Sequence, residues 1–174
     1  MTLTTTYFGP IEWYHQLYHA DRVMIEACES SRGQHGTADG TLTVPIEHGG
    51  SRLIRDVRIS NHGSWRRQHW NALQSAYSES PFFEYYTDDL HPFFTQDYQF
   101  LYDFNFEIIQ KVCELLDIYP VIEESGEWRV ESGEWKEESK DFFKPYYQVF
   151  AHKHGFQPNL SILDLLFNMG PEGI

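Results

Sequence analysis

The sequence lacks the features that are typical of membrane-embedded, nucleic-acid-binding and secreted proteins. Its 13 basic residues face 26 acidic ones, a formal net charge of −13. This balance argues against a nucleic-acid backbone or an anionic membrane as the main partner, because both need a basic face. No apolar run approaches the length of a membrane span. Cys28 and Cys113 are far apart and no signal peptide precedes them. We therefore expect free thiols in a soluble, cytoplasmic protein.

Common catalytic and cofactor motifs are also missing. There is no glycine-rich phosphate loop, no Gly-x-Ser-x-Gly elbow and no recognisable Cys/His spacing. His15 and His19 have the i, i+4 spacing of a metal-binding pair. No cysteine or carboxylate of a matching motif follows them. We therefore predict no metal site, and the sequence identifies no cofactor.

What is present is a chain of one-domain size with many aromatic residues. Its 174 residues suit one domain, and aromatics make up 17% of them. The patterns predict a single α+β domain over residues 1–174. In it a small, partly parallel sheet from the N-terminal third is covered by helices from the remaining two thirds. Residues 1–60 are predicted to be strand-rich, and residues 61–174 mainly helical.

The N-terminal third reads as strands around one helix. The pattern predicts strands at 2–8, 22–26, 41–46 and 56–59, a helix from about Pro10 to Ala20, and a polar loop at 29–40. A strand, a short helix and a strand form a βαβ unit, so the first two strands should be parallel. Pro45 marks an edge or an end of the third strand.

The rest of the chain shows helical spacing. Ser64 is a good N-cap for a helix over 65–77, Pro81 opens a helix or a turn through Tyr86, and the longest helix is predicted at 98–116. Residues 123–141 are acidic and contain Ser-Gly-Glu-Trp twice. This segment is interpreted as an acidic flap, as a hairpin that presents Trp128 and Trp135, or simply as a solvated face.

The chain ends with a polar cluster before a short, strongly apolar run. Asn159 or Ser161 can cap this last helix, and Gly170-Pro171 ends it. Polar groups at the N-terminus of a buried helix are well placed to hold an anion or a polar ligand. Asn159, Ser161 and Asp164 are therefore candidate ligand contacts. The alternative is a capped core helix with no ligand.

A second polar group lies in the first long helix and just before it. Arg55, Arg58, Arg66 and Arg67 fall within thirteen residues of an otherwise acidic chain. Guanidinium groups bind carboxylate and phosphate and stack on aromatic rings. The alternative is surface ion pairing. His69 is a candidate acid/base because histidine titrates near neutral pH, although a helical histidine is often structural. Asp103-Phe-Asn105 is open to the same two interpretations.

Several blocks of the sequence, taken together, resemble one family. The blocks are Tyr7-Phe-Gly-Pro10, Val44-Pro-Ile, Asp56-Val-Arg-Ile59, His69-Trp70, Pro81-Phe-Phe-Glu-Tyr-Tyr86, Asp103-Phe-Asn105 and Phe156-Gln-Pro-Asn-Leu-Ser-Ile-Leu-Asp-Leu-Leu-Phe-Asn168. They are spread over nearly the whole chain and resemble the WbqC-like family. That resemblance implies a setting in bacterial surface-polysaccharide (O-antigen) clusters and no particular reaction.

The chain departs from the family pattern in one interval. Relatives carry a longer basic stretch between the second strand and the Val-Pro strand, and here only residues 28–40 separate them. Either the loop was lost, or the printed sequence omits it. The opening strand, turn, helix and strand also look like the start of pantothenate-synthetase-type folds. Those enzymes need a His-x-Gly-His turn, and this chain has Pro10-Ile-Glu-Trp13 there. Nucleotidyl transfer is thus disfavoured.

Two functional hypotheses follow. The first is a transferase acting on an activated sugar or on an acyl or aminoacyl precursor, with its pocket at the end of the first strand. Tyr7 and Pro10 would line the pocket, Arg58 and Arg66 would hold an anionic group, and His69 would be the acid/base. Its partner would be a sugar-linked or nucleotide-linked small molecule, and a homodimer is left open. The second hypothesis is a non-catalytic binding or assembly protein of the same pathway.

Overall fold

In the part of the chain that the structure describes, five strands form two separate sheets. The computed structural model describes residues 1–27, 34–37, 40–47, 53–125 and 144–173. The larger sheet contains β1 (Thr2–Thr4), β2 (Arg22–Glu26) and β5 (Val121–Ser125) in the order β1-β2-β5. Both pairings are parallel, with Leu3 opposite Ile25 and Ile25 opposite Glu124. An antiparallel pair, β3 (Gln34–Thr37) and β4 (Gly40–Thr43), forms the second sheet.

Helices make up most of the remaining described structure, so the elements form one α+β domain, as predicted. They are α1 (Ile11–His19), α2 (Trp65–Tyr77), α3 (Phe83–Leu90), α4 (Leu101–Leu115), the short α5 (Ala151–His154) and α6 (Ile162–Met169). None of the helices in these ranges is long and apolar enough to cross a bilayer.

The βαβ unit is confirmed, with shorter elements than predicted. β1 ends at Thr4 because the chain turns within residues 5–9, where Phe8 has a φ of 44°. Pro10 is extended at ψ 156°, so it precedes α1 as the N-cap residue and does not occupy the first turn. α1 and β2 then fall within one residue of their predicted bounds.

The described residues between 34 and 59 depart from the prediction. Residues 34–37, predicted as loop, form β3 and pair with β4. The strand predicted at 56–59 is wrong, since Ile54–Asp56 is a turn of 3₁₀ helix. Arg58 and Ile59 make only single bridges, to Phe100 and Ile46. The rest of the 28–40 interval lies outside the described residues, so neither explanation of its shortness is tested.

The long helices agree with the sequence pattern. α2 has the predicted bounds, and Ser64 precedes it without a side-chain cap hydrogen bond. The segment that begins at Pro81 forms helix α3. α4 buries Leu101, Phe104, Ile108 and Val112, as its spacing indicates. Burying these apolar side chains and those of β2 removes nonpolar surface from water, the main driving force for folding.

The sequence pattern does not predict β5. It begins two residues before the segment predicted as an acidic flap, and residues 126–143 lie outside the described part. The sheet therefore takes its third strand from the C-terminal two thirds of the chain. β5 has only two apolar residues, and Val121 is half exposed. Pairing with the buried strand β2 decides its conformation.

Candidate functional site

The candidate site lies where the chain leaves β1. The carboxyl ends of parallel strands are where open α/β sheets bind ligands. Thr5, Tyr7 and Phe8 follow β1 directly, and all three are buried. The Thr5 hydroxyl accepts a hydrogen bond from Nδ2 of Asn105, at 3.3 Å. The turn therefore carries polar side chains into the interior beneath α2 and α4.

Tyr7 and His69 form a buried pair. The Tyr7 hydroxyl lies 2.9 Å from Nδ1 of His69, and the two residues are 1% and 6% exposed. A backbone hydrogen bond with Thr43 raises the pKa of His69, so the backbone group is an acceptor and the ring donates to it. In the neutral ring Nδ1 then accepts a hydrogen bond from the Tyr7 hydroxyl.

Burial sets the charge of this pair. Desolvation lowers the pKa of His69 to about 4, more than the bond to Thr43 raises it. Desolvation also raises the pKa of Tyr7, against a smaller opposing effect of the Arg66 charge. At neutral pH the pair is therefore a phenol donating to a neutral imidazole.

Arg66 is next to this pair and mostly buried. Its guanidinium stacks over Trp65 at 4.5 Å from the ring centroid, and Trp65 meets His69 edge to face. One Nη pairs with Asp97 at 3.2 Å, and the other donates to Asn61 at 2.9 Å. Its Nε is buried and has no partner within the described ranges. Arg58, in contrast, is exposed over Phe100.

The two candidates before α6 hold the chain together. Asn159 accepts from the Glu12 amide at 3.0 Å and donates to the Glu12 carboxylate at 3.1 Å. The Ser161 hydroxyl donates to the Phe8 carbonyl at 2.8 Å and accepts from the Leu163 amide at 3.2 Å. Ser161 is thus the N-cap of α6, one of the two residues predicted for that role. Pro10 forms a backbone bridge with Ser161.

Asp164 is the centre of a separate buried network. Its Oδ2 accepts from the Tyr146 hydroxyl and from Nε2 of Gln148. Tyr77 also donates to this carboxylate, and Nδ2 of Asn168 donates to the Asp164 backbone carbonyl at 2.8 Å. Burial raises the pKa of Asp164, and these hydrogen bonds oppose the increase. A cavity of about 20 Å³ adjoins the network and is lined by residues that include Gln148, Gln157 and Asp164. This volume suits a single water molecule.

A larger cavity than this one lies elsewhere. It measures about 80 Å³ and is lined mainly by apolar residues of α1, α6 and the end of α4. None of the eight predicted site residues lines it. His15 does, and its ring lies 4.3 Å from that of His19. Within the described ranges, no group of three or more His, Cys, Asp or Glu side chains could hold a metal.

The predicted residues thus fall into three groups and one outlier. The first group lies at the start of α2 and contains Tyr7, His69 and Arg66. The second group joins α1 to α6 and contains Pro10, Asn159 and Ser161. Asp164 alone belongs to the third, with its own hydrogen-bond network. Arg58 is the outlier. Trp65, Thr43 and Tyr146 are partners of these groups that no single sequence motif indicates. The only signal for Tyr146 was its place in the polar cluster before the last helix.

Comparison with known proteins gives one match. The profile of the WbqC-like protein family matches residues 7–142. The matched range includes Tyr7, Pro10, Arg58, Arg66 and His69, and it ends before Asn159, Ser161 and Asp164. No curated protein and no solved structure matches the chain.

Proposed function

The chain belongs to the WbqC-like protein family, and on that premise we propose that it is a transferase-type enzyme. Its substrate would be an activated sugar or an acyl or aminoacyl precursor in bacterial surface-polysaccharide biosynthesis. The observation that carries the proposal is the Tyr7–His69 hydrogen bond beside Arg66, at the carboxyl edge of a parallel sheet. This edge is where such sheets bind ligands.

The roles of the three side chains follow from their protonation states. The neutral His69 imidazole already accepts a hydrogen bond from the Tyr7 hydroxyl. It can therefore act as a base that removes a substrate proton by way of the Tyr7 phenol. As the acceptor hydroxyl or amine attacks the activated carbon, its proton passes to the Tyr7 oxygen and the Tyr7 proton moves to His69. The bond to the leaving group breaks, and Arg66 stabilises the negative charge that departs with it.

The first experiment measures ligand-induced changes in melting temperature. The panel consists of nucleotide sugars, nucleotides, acyl-coenzyme A and sugar phosphates, because a ligand of the native state raises the apparent melting temperature. We expect one class to do so. Arg66→Ala should lower the affinity for that ligand about tenfold or more, because a charge-assisted hydrogen bond is lost. Arg67→Ala, an exposed neighbour on the same helix, is the matched control and should bind normally.

Turnover is tested next with the ligand so identified. Tyr7→Phe and His69→Gln should each lower kcat at least a hundredfold if the pair transfers the proton. Circular dichroism shows whether each variant is folded. Full turnover in folded Tyr7→Phe would exclude the relay, and a shift that Arg66→Ala leaves unchanged would exclude Arg66 as the anion site.

The second candidate is a non-catalytic binding or assembly protein of the same pathway. One observation favours it: Tyr7 and His69 are almost fully buried and each donates or accepts within the protein, so a substrate must uncover them before it reacts. Asn159 and Ser161 likewise bond to the chain itself. Binding of a panel ligand without turnover of that ligand would select this candidate.

A further inference from the structure

The turn between β1 and α1 contains an unusual backbone conformation. Phe8 has a φ of 44°, in the left-handed region that non-glycine residues rarely adopt. Its side chain is fully buried, with the ring stacked on Phe94 at 5.9 Å. A conformation of this kind persists only where neighbouring groups hold it, and such positions cluster at functional sites.

The segment before α6 supplies the groups that hold the turn. The Ser161 hydroxyl donates to the Phe8 carbonyl at 2.8 Å, and the Ile162 amide donates to the Gly9 carbonyl at 2.8 Å. In return the Ile11 amide donates to the Leu160 carbonyl at 3.0 Å. Among these bonds, only the one from Ser161 comes from a side chain and acts on Phe8 itself.

The hydroxyl of Ser161 has little capacity left for a ligand. Its single proton goes to Phe8, and one lone pair accepts from the Leu163 amide at 3.2 Å. The residue is 3% exposed. Its bonds point into the protein, to the turn that carries Tyr7 and to the first turn of α6.

Phe8 is directly connected to Tyr7, so its torsion angle affects the Tyr7–His69 contact. The φ of Phe8 sets the angle between the Tyr7 peptide and the Phe8 carbonyl, the group that Ser161 holds. On the other side, β1 fixes the chain before Thr5. Because the bonds at Gly9 and Ile11 hold the chain beyond Phe8, relaxation of Phe8 to a negative φ must be absorbed between the two anchors and rotates the Tyr7 peptide. The Tyr7 ring, which stacks on Phe104 at 5.6 Å, would move with it.

We propose that Ser161 is a positioning residue, which holds the strained Phe8 turn so that the Tyr7 hydroxyl stays on Nδ1 of His69. This role replaces the ligand contact predicted for Ser161 from the sequence. Its consequence for catalysis rests on the proposed function, but the positioning itself does not. Ser161 then acts at a distance, through the backbone of one residue.

The experiment reads the His69 ring directly by ¹⁵N NMR, because the nitrogen shifts distinguish the protonated ring nitrogen from the accepting one. In the wild type Nδ1 should report an acceptor of a hydrogen bond. Tyr7→Phe gives the reference spectrum for a lost contact. Ser161→Ala should move the Nδ1 signal most of the way to that reference, and Ser161→Thr, which retains a hydroxyl, should restore the wild-type signal.

Asn159→Gly is the matched control. It removes the side-chain bonds to Glu12 across the same junction, and glycine tolerates the φ of 53° at this position. Its His69 signals should remain those of the wild type. If they move as far as in Ser161→Ala, the junction as a whole holds the turn, and the assignment to Ser161 is overturned.

Gly9→Ala tests the turn from its other side, should Ser161→Ala not fold. A Cβ at Gly9 would lie 2.4 Å from Oγ1 and 3.0 Å from Cβ of Thr6, so rotating the Thr6 side chain cannot relieve the contact completely. The N-cap of α6 stays intact, and the Nδ1 signal should again move toward the Tyr7→Phe reference. Folded Ser161 and Gly9 variants with unchanged His69 signals would overturn the proposal.

The positioning role of Ser161 and the transferase function can fail independently of each other in these experiments. The NMR measurement needs neither substrate nor turnover. Unchanged His69 signals in Ser161→Ala contradict positioning, whatever ligand the protein binds. A moved signal together with no ligand in the panel would support positioning and contradict the transferase.

Discussion

At the residue scale, the decisive feature is the environment of each polar side chain, which residue type alone does not reveal. His69 was selected because histidine titrates near neutral pH, yet burial lowers its pKa to about 4. Asp164 was selected as a ligand contact, and it lies at the centre of hydrogen bonds from Tyr146 and Gln148. Residue type indicates which side chains are polar, but burial in the folded protein decides whether they are charged.

The lowered pKa of His69 predicts how stability depends on pH. The unfolded chain protonates this imidazole near pH 6.5, whereas the folded chain does so only near pH 4. Between these values the unfolded state binds more protons, so the free energy of unfolding rises with pH across this window. His69→Gln should therefore lose less stability than the wild type between pH 7 and pH 5, as measured by urea denaturation.

Asp164 contributes a pH dependence of stability with the opposite sign. The comparison of the wild type with His69→Gln removes this contribution. Its folded pKa is raised, so its own contribution lowers stability as pH rises through that shift. Asp164 is present in both proteins and cancels in the difference. His62→Gln, on the exposed loop before α2, controls for the loss of an imidazole. Equal pH dependence in the wild type and His69→Gln would contradict the buried, neutral state of His69.

At the element scale, α6 is predicted correctly from local sequence, but the polar residues before it bond to other parts of the chain. Its apolar run and its N-cap and C-cap residues predicted the helix well, and it covers Ile162–Met169. The N-terminal polar residues, however, bind α1 and the Phe8 turn, 147 and 153 residues away in sequence. Periodicity and capping are local, so they locate the helix without showing what its N-terminus contacts.

The end of α6 offers a prediction with an internal control. Gly170 and Gly155 both have positive φ, at 59° and 70°. A Cβ at Gly170 would lie 2.7 Å from the Phe82 ring, whereas a Cβ at Gly155 meets nothing within 4 Å. Gly155→Ala should cost about 1–3 kcal/mol of backbone strain alone. Gly170→Ala should cost about 2–6 kcal/mol, because overpacking adds to the strain.

Denaturant unfolding of the two glycine variants measures both costs. The difference between them isolates the contact with Phe82, since both variants share the positive φ. Equal losses would show that the ring moves away freely at the end of α6. A smaller loss for Gly170→Ala than for Gly155→Ala would contradict the packing of α6 against the segment before α3.

At the scale of the whole molecule, the fold depends on pairings between distant segments. β2 pairs with β1 on one side and, about a hundred residues later in the chain, with β5 on the other. Ile25 and Val23 of β2 are fully buried. The N-terminal strands and the helices that follow therefore complete one core, and neither part can bury its apolar face alone.

This dependence predicts that residues 1–120 do not fold by themselves. Such a fragment retains β1, β2 and the helices through α4, but it lacks β5 and α6. Without these elements β2 loses the strand that pairs with it, α1 loses its contacts with α6, and the Phe8 turn loses its support from Ser161. We expect poor amide dispersion in a ¹H–¹⁵N NMR spectrum and no cooperative thermal transition, in contrast to the full chain. A dispersed spectrum would show that β5 and α6 are dispensable.

Local sequence patterns predict the class of the fold, the parallel β1–α1–β2 unit and the bounds of α2 and α6, and blocks of sequence carry the resemblance that the family match supports. These features follow from period, caps and turn residues, which act over a few positions. Tertiary packing, in contrast, brings β5 into the sheet and leaves residues 56–59 out of it. It also decided that His69 accepts from Tyr7 and that Ser161 holds Phe8. Each of these depends on contacts between segments far apart in the chain, because burial and pairing are set by the packed neighbours and not by adjacent residues.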